Sequence, residues 1–152
     1  MIYEWKPGTR HKVKADVAAA ECKRLEADGR LTAKVLVDES RPEDAPLHSE
    51  FEWDDTVAAD KFREHQARNI INAIVIVSEE RKPVRQFFNL DVSRSEYMSL
   101  DVILKKKETA TALLDMAIRD LKVFQTKYGT LEELVALNFE IDKTVKMYEK
   151  VG

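Results

Sequence analysis

The chain has 152 residues and a mass of 17.5 kDa, room for one domain that buries roughly two thirds of its unfolded surface without disulfides. Hydrophobic residues make up 44% and charged residues 35%, with a formal net charge of -3. This excludes a disordered chain and, taken as a bulk figure, weighs against a strongly cationic nucleic-acid binder.

Residues 1–14 carry Lys6, Arg10, Lys12 and Lys14 against Glu4, a net of +3, and read as a basic arm. Within it Tyr3-Glu4-Trp5 alternates like a short strand, and Pro7-Gly8 signals a turn. From Ala15 to Ala27 the apolar residues Val17, Ala18, Cys22 and Leu25 recur at helical spacing, and Asp28-Gly29 supplies a stop. Thr32 is placed to cap a second, shorter helix through Ala33, Val35, Leu36 and Val37. Two short helices around a Gly-containing turn outline a helix-turn-helix, a pattern shared with other helical hairpins.

Residues 15–69 hold eight bases against fourteen acids, a net of -6, and five of the acids (Glu50, Glu52, Asp54, Asp55, Asp60) fall within eleven residues. A polar connection with Pro42 and Pro46 leads to a third helix starting at Asp54 or Asp55, where a carboxylate caps free N–H groups and meets the positive end of the helix dipole. Ala58, Ala59, Phe62 and Ile70 are expected to face the core, with Lys61, His65 and Arg68 as a basic stripe on the flank. The β-branched run Ile71–Val77 and a second run, Val84–Leu90, predict a hairpin around the charged tip 78–83. Tyr97–Leu104 reads as a strand or an irregular link.

Leu113, Leu114, Ala117, Leu121, Phe124 and Tyr128 then predict a long helix that Gly129 ends, and Thr130-Leu131-Glu132-Glu133 has the spacing of a capping box for a last helix. The expected fold class is α+β, mainly helical: a helix-turn-helix-like N-terminal part with a β-hairpin, followed by a C-terminal helical hairpin. The expected divisions are an arm (1–14), a winged-helix-like part (15–92) and the helical hairpin (93–152), the hairpin packed as one domain with the rest.

In a winged helix the third helix enters a groove and the hairpin touches phosphate. The nucleic-acid-binding candidates are accordingly Lys61, His65 and Arg68 on the helix, Arg81, Lys82 and Arg85 on the wing, and Lys12 and Lys14 on the arm. The connection of about twelve residues before the third helix is long for such a motif. A rival reading makes Glu50, Glu52, Asp54, Asp55 and Asp60 the contact surface for a protein partner, as in a host-factor inhibitor or a self-assembling scaffold. His48 beside these carboxylates has the residue types of a divalent-metal site, but no HExxH, paired CxxC or EF-hand glycine accompanies it, so no metal and no cofactor is expected. With no GxSxG elbow and no Gly-rich phosphate loop, the expectation is a protein without catalytic activity. Cys22 lies on an apolar helix stripe and reads as core. The apolar surplus of the two C-terminal helices calls for cover, by the rest of the chain or by a second copy.

The longest apolar runs, such as 73–77, are far short of the ~20 residues of a bilayer span. No signal-peptide pattern opens the chain and a single cysteine cannot form an internal disulfide, so the expected location is the cytoplasm of a bacterial host, away from membranes.

The patches Trp5-Lys6-Pro7-Gly8, Gly29-Arg30-Leu31-Thr32-Ala33, Pro46-Leu47-His48, Phe51-Glu52-Trp53-Asp54-Asp55, Ala58-Ala59 and Gln66-Ala67-Arg68 resemble a group of small proteins, of unassigned activity, encoded by bacteriophages and prophages, mostly of Gram-positive bacteria. The likeness spans most of the chain. It implies a protein at work inside an infected or lysogenic bacterium, on phage DNA or on a host factor, and carries over no functional residue.

Overall fold

A computed structural model describes residues 1–53, 57–79, 81–91 and 93–149, without the side chains of Val57, Ala58 and Arg81. The fold is mainly helical α+β. Its described elements are β1 (Ile2–Trp5), α1 (Ala15–Ala27), α2 (Ala33–Glu39), α3 (Val57–Ala73), β2 (Ile74–Ser78), β3 (Arg81–Arg85), β4 (Phe87–Phe88), β5 (Met98–Ser99), α4 (Leu100–Ile103), α5 (Lys107–Tyr128) and α6 (Val135–Glu149), with 3-10 turns at His48–Glu50 and Glu132–Leu134. No helix among the described residues is long and apolar enough to cross a membrane. The chain divides into two compact units, 1–106 and 107–152.

In the first unit the apolar stripe of α1 (Ala18, Ala19, Cys22, Leu25) packs with Leu31, Leu36, Leu47, Ile71, Ile74 and Phe87 in one core. Helix α1 stops at Gly29, whose φ of 67° suits glycine, with Gly29 N–H donating to Glu26 O and Arg30 N–H to Leu25 O at 2.9 and 2.8 Å. Thr32 caps α2 as expected, its Oγ1 accepting from Val35 N–H at 3.1 Å.

Three local expectations are corrected. The β-branched run does not begin a strand at Ile71. Helix α3 continues through Ala73 and passes directly into β2, because Ile70 and Ile71 complete its buried face. That face is Arg63, Ala67, Ile70 and Ile71, at i, i+4, i+7 and i+8; Phe62, expected inside, is 55% exposed one position out of register. The capping box at Thr130 does not form, since Leu134 N–H bonds to Leu131 O at 3.0 Å in a 3-10 turn that has no side-chain cap.

Strand β2 is central in an antiparallel sheet of order β1-β2-β3, pairing Tyr3 with Ile76 and Trp5 with Ile74 on one side and Val75 with Arg85 on the other. The N-terminal segment is thus built into the sheet. Pro83 lies on edge strand β3, where its missing N–H costs no central ladder bond. The boundary expected at residue 92 falls instead after Lys106, because β5 pairs with β4 and Lys23 and Glu26 of α1 grip the following residues. Lys23 Nζ donates to Ser99 Oγ and Asp101 Oδ1 at 2.8 and 2.7 Å, and Glu26 accepts Ser99 N–H at 2.5 Å.

In the second unit α5 and α6 bury Ile118, Ile141 and Val145 between them, with Leu121, Phe124 and Tyr148 partly covered. Tyr148 Oη donates to Asp115 at 2.5 Å and Gln125 Nε2 to Asp142 at 2.9 Å.

Candidate nucleic-acid interface

Helix α3 organises the charged surface of the first unit. Its buried stripe fixes the opposite face, and Lys61, His65, Arg68, Asn69 and Asn72 follow on that face at helical spacing, all exposed except the half-buried Asn72. Of these, Arg68 is held by Glu64 Oε2 at 3.1 Å. At the end of the stripe Asn72 Oδ1 accepts from Arg85 Nη2, which joins the helix to the hairpin. Arg85 also donates from Nε to Phe87 O at 2.8 Å and lies over the Phe88 ring, so it is an anchored but exposed cation. Lys82 is exposed on the same strand, and Arg81 stands opposite Ser78 in the ladder with its side chain outside the description.

Two of the clefts along α3 are roomy enough for a small ligand. The larger, about 710 Å³, is bounded by Thr32, Lys34, Glu64, Arg68, Asn89 and Tyr97, with Ser95 at a left-handed φ of 56° on its rim. Its charges are mutually neutralising, through Arg68 with Glu64 and Lys34 with Asp38. The smaller, about 360 Å³, lies between α3 and the loop after β1 and is lined by Lys6, Thr9, Arg10, His11, Asn69, Asn72 and Ala73, with no carboxylate in its wall.

That loop is rigid for reasons the sequence encodes. Lys6 N–H donates to Ala73 O at 2.8 Å, which pins the end of β1 to the end of α3. Pro7 and Gly8, the latter at φ 88°, form a tight turn that Thr9 closes by donating N–H and Oγ1 to Lys6 O at 3.2 and 2.8 Å. Trp5 stacks on His11 with ring centroids 3.6 Å apart, and its indole N–H donates to Val13 O at 2.9 Å. Lys12 and Lys14 are exposed beyond this loop and do not line the cleft.

The acidic segment is largely drawn inward. Glu50 is a correction to the proposed acidic surface: its side chain is 5% exposed and accepts Lys12 N–H, Val13 N–H and His11 Nδ1–H at 2.5, 2.6 and 3.1 Å. Asp60 is exposed but shared by Arg41 at 2.9 Å and Arg63 at 3.0 Å, and these guanidinium hydrogen bonds hold its carboxyl below the usual range. Glu52 is exposed and its carbonyl accepts from Arg63 Nε at 2.5 Å. Asp54 and Asp55 lie outside the described residues.

Arg63 is the buried cation that hydropathy patterning misses. It is 1% exposed and lies over Trp53 at 5.1 Å, with Arg41 over the same ring at 5.7 Å and His48 stacked on it at 5.1 Å. His48 is a structural group in this arrangement, donating from Nδ1 to the carbonyls of Ser40 and Arg41, each at 3.1 Å. Among the described residues no three His, Cys, Asp or Glu side chains converge as a metal site would need. Burial pushes the Cys22 thiol well above its usual range, as expected of a core cysteine. Sequence reading places Lys6 and Arg10 only in the basic arm and does not reach Asn69 or Asn72; the turn Pro7-Gly8 beside two bases is the available signal.

Comparison with protein-family models, curated proteins and solved structures found no match to this chain.

Proposed function

We propose that the chain is a non-enzymatic phage accessory protein that associates with nucleic acid, in a regulatory role, through the outer face of α3 and the surfaces beside it. The carrying observation is the continuity of that face. Lys61, His65, Arg68, Asn69 and Asn72 run along one side of a helix whose last member is bonded to Arg85 of the hairpin. From Lys61 to Asn72 the helix covers about 16 Å, roughly five nucleotides of one strand at ~3.4 Å each. Bulk net charge weighs less against this than it does in the sequence, because two carboxylates of the acidic block are committed elsewhere, Glu50 to the arm and Asp60 to Arg41 and Arg63.

A footprint of about four phosphate contacts gives a salt slope of log K against log [salt] near -3 to -4. Gel-shift titration at two salt concentrations tests it. Binding should weaken at least tenfold in Lys61→Glu with Arg68→Glu. No binding at low salt, or binding unchanged by the pair, removes the reading.

A protein-interaction role is the second reading, and a separate observation favours it. The C-terminal hairpin leaves Val135, Leu137, Phe139 and Met147 exposed, with Phe139 at 67%.

A further inference from the structure

We infer that the cleft between the 6–11 loop and the C-terminal half of α3 is a seat for a phosphate group, sharing Asn69 and Asn72 with the α3 stripe but taking its cations, Lys6 and Arg10, from the loop. The inference deepens the nucleic-acid reading and rests on it only for the source of the phosphate.

Three features of the cleft point to an anion. First, its cations are uncommitted. Among the described residues Lys6 and Arg10 have no carboxylate within ion-pair distance, whereas Arg24, Arg30, Arg41, Arg63 and Arg68 are each paired. Two neighbouring cations in a concave wall without acids lower the cost of desolvating an anion there. Second, one of the neutral donors is oriented. Arg85 occupies the Asn72 carbonyl oxygen, which assigns that amide's Nδ2 as the end free to donate, and Asn69 stands three residues earlier on the same wall. Third, the loop is already fastened at both ends, by Lys6 to Ala73 and by His11, Lys12 and Val13 to Glu50, so binding orders little backbone. Glu50, which bonds the wall residue His11, has its carboxylate occupied by His11 Nδ1 and the N–H groups of Lys12 and Val13.

The ligand chemistry is a phosphate oxygen cluster gripped by Lys6 and Arg10 and oriented by side-chain amides. A volume of about 360 Å³ admits a phosphate with part of its sugar. A backbone phosphodiester and a terminal or free phosphate share this chemistry.

The test is heteronuclear NMR on the full chain at constant ionic strength, titrating inorganic phosphate, with chloride as the reference anion. A second arm uses short single-stranded oligonucleotides with and without a 5′-phosphate. The Trp5 indole N–H and the Asn69 and Asn72 side-chain amides should shift with phosphate while the Trp53 indole does not. Lys6→Gln with Arg10→Gln should abolish the phosphate shifts, weaken oligonucleotide binding about tenfold or more and reduce its salt slope by about 1.5 to 2. Lys61→Gln with Arg68→Gln should leave the phosphate shifts intact. Equal binding of both oligonucleotides assigns the seat to the backbone; preference for the 5′-phosphate assigns it to a terminus. Oligonucleotide binding with unmoved cleft signals overturns the seat and spares the α3 reading. Phosphate shifts without oligonucleotide binding keep the seat and remove the nucleic-acid reading. Shifts that persist in Lys6→Gln with Arg10→Gln, or no shifts at all, overturn the seat.

Discussion

Glu50 holds His11 across 39 residues of sequence: its Oε2 accepts from His11 Nδ1 at 3.1 Å while Oε1 takes the N–H groups of Lys12 and Val13. One buried carboxylate thereby fastens the basic arm to the second half of the acidic block. A residue that stands out in the sequence as surface acid is the anchor that shapes the basic cleft.

Glu50→Ala should therefore destabilise the protein by about 2–4 kcal/mol in urea denaturation, since two backbone donors and an imidazole lose a charged acceptor. Glu50→Gln should cost about 1–2 kcal/mol, keeping one acceptor oxygen. Both should broaden the Trp5 indole signal. Stability unchanged in both variants would mean the arm is held by β1 alone.

Arg63 is enclosed among Trp53, Asp60 and the Glu52 carbonyl. Arg63→Ala should cost about 3–5 kcal/mol, and Arg63→Lys should recover little of it, because an ammonium does not reproduce the guanidinium's stacked, forked geometry. Urea titration of both variants decides it. Recovery of more than half the loss by lysine would reduce the role of Arg63 to charge alone.

Asp101 sets an acid limit. Burial alone would raise its carboxyl, but hydrogen bonds from Lys23 and Gln86 and the charge of Lys23 override this and bring it down to about 2. A carboxyl depressed in the folded state contributes stability that is complete above its unfolded value near 4 and is lost as pH falls towards 2. With partial exposure discounted, the contribution is about 1–2 kcal/mol. Asp101→Asn should flatten the stability profile between pH 4 and 2 by that amount while leaving its shape above pH 5 unchanged, as measured by chemical denaturation across pH.

Gly29→Ala should cost about 1 kcal/mol. Nothing lies within 4 Å of a Cβ built there, so the whole penalty is the left-handed φ of 67°. A thermal melt lowered by a few degrees is the expected reading, and a neutral result would mean the end of α1 can relax.

Among the described residues the hairpin of 107–152 has three buried residues in its own cluster, too small a core to be stable alone. Prepared by itself, it should gain helicity with concentration, in step with an increase in mass by sedimentation. Concentration-independent helicity in a monomer would show that the exposed Leu137 and Phe139 need no cover.

Much of the fold was legible along the chain. The spacing of Ala18, Cys22 and Leu25, the Gly29 stop and the Thr32 cap define α1 and α2 because each depends only on neighbours within a turn. The long helix ending at Gly129 is legible for the same reason. Errors arose where two periodicities overlap. Phe62 and Arg63 are adjacent, and hydropathy favours phenylalanine inside; Trp53 and Asp60, which make arginine the better inward residue, arrive from elsewhere in the chain. Ile71 fits a strand by composition, and only its packing in the core beside Ile70 keeps it helical.

By itself the sequence determined a mainly helical α+β chain with a basic N-terminal segment and a block of acids, because helix and turn signals and charge are local properties. Which charges face solvent was decided only by the tertiary structure. Glu50 turns inward to bind backbone N–H groups 37 residues away, and Asp60 is divided between two arginines, while Lys6 and Arg10 are left beside two asparagines of α3. A carboxylate is neutralised by whatever donors the fold brings within about 3 Å, and that distance cannot be read along the chain.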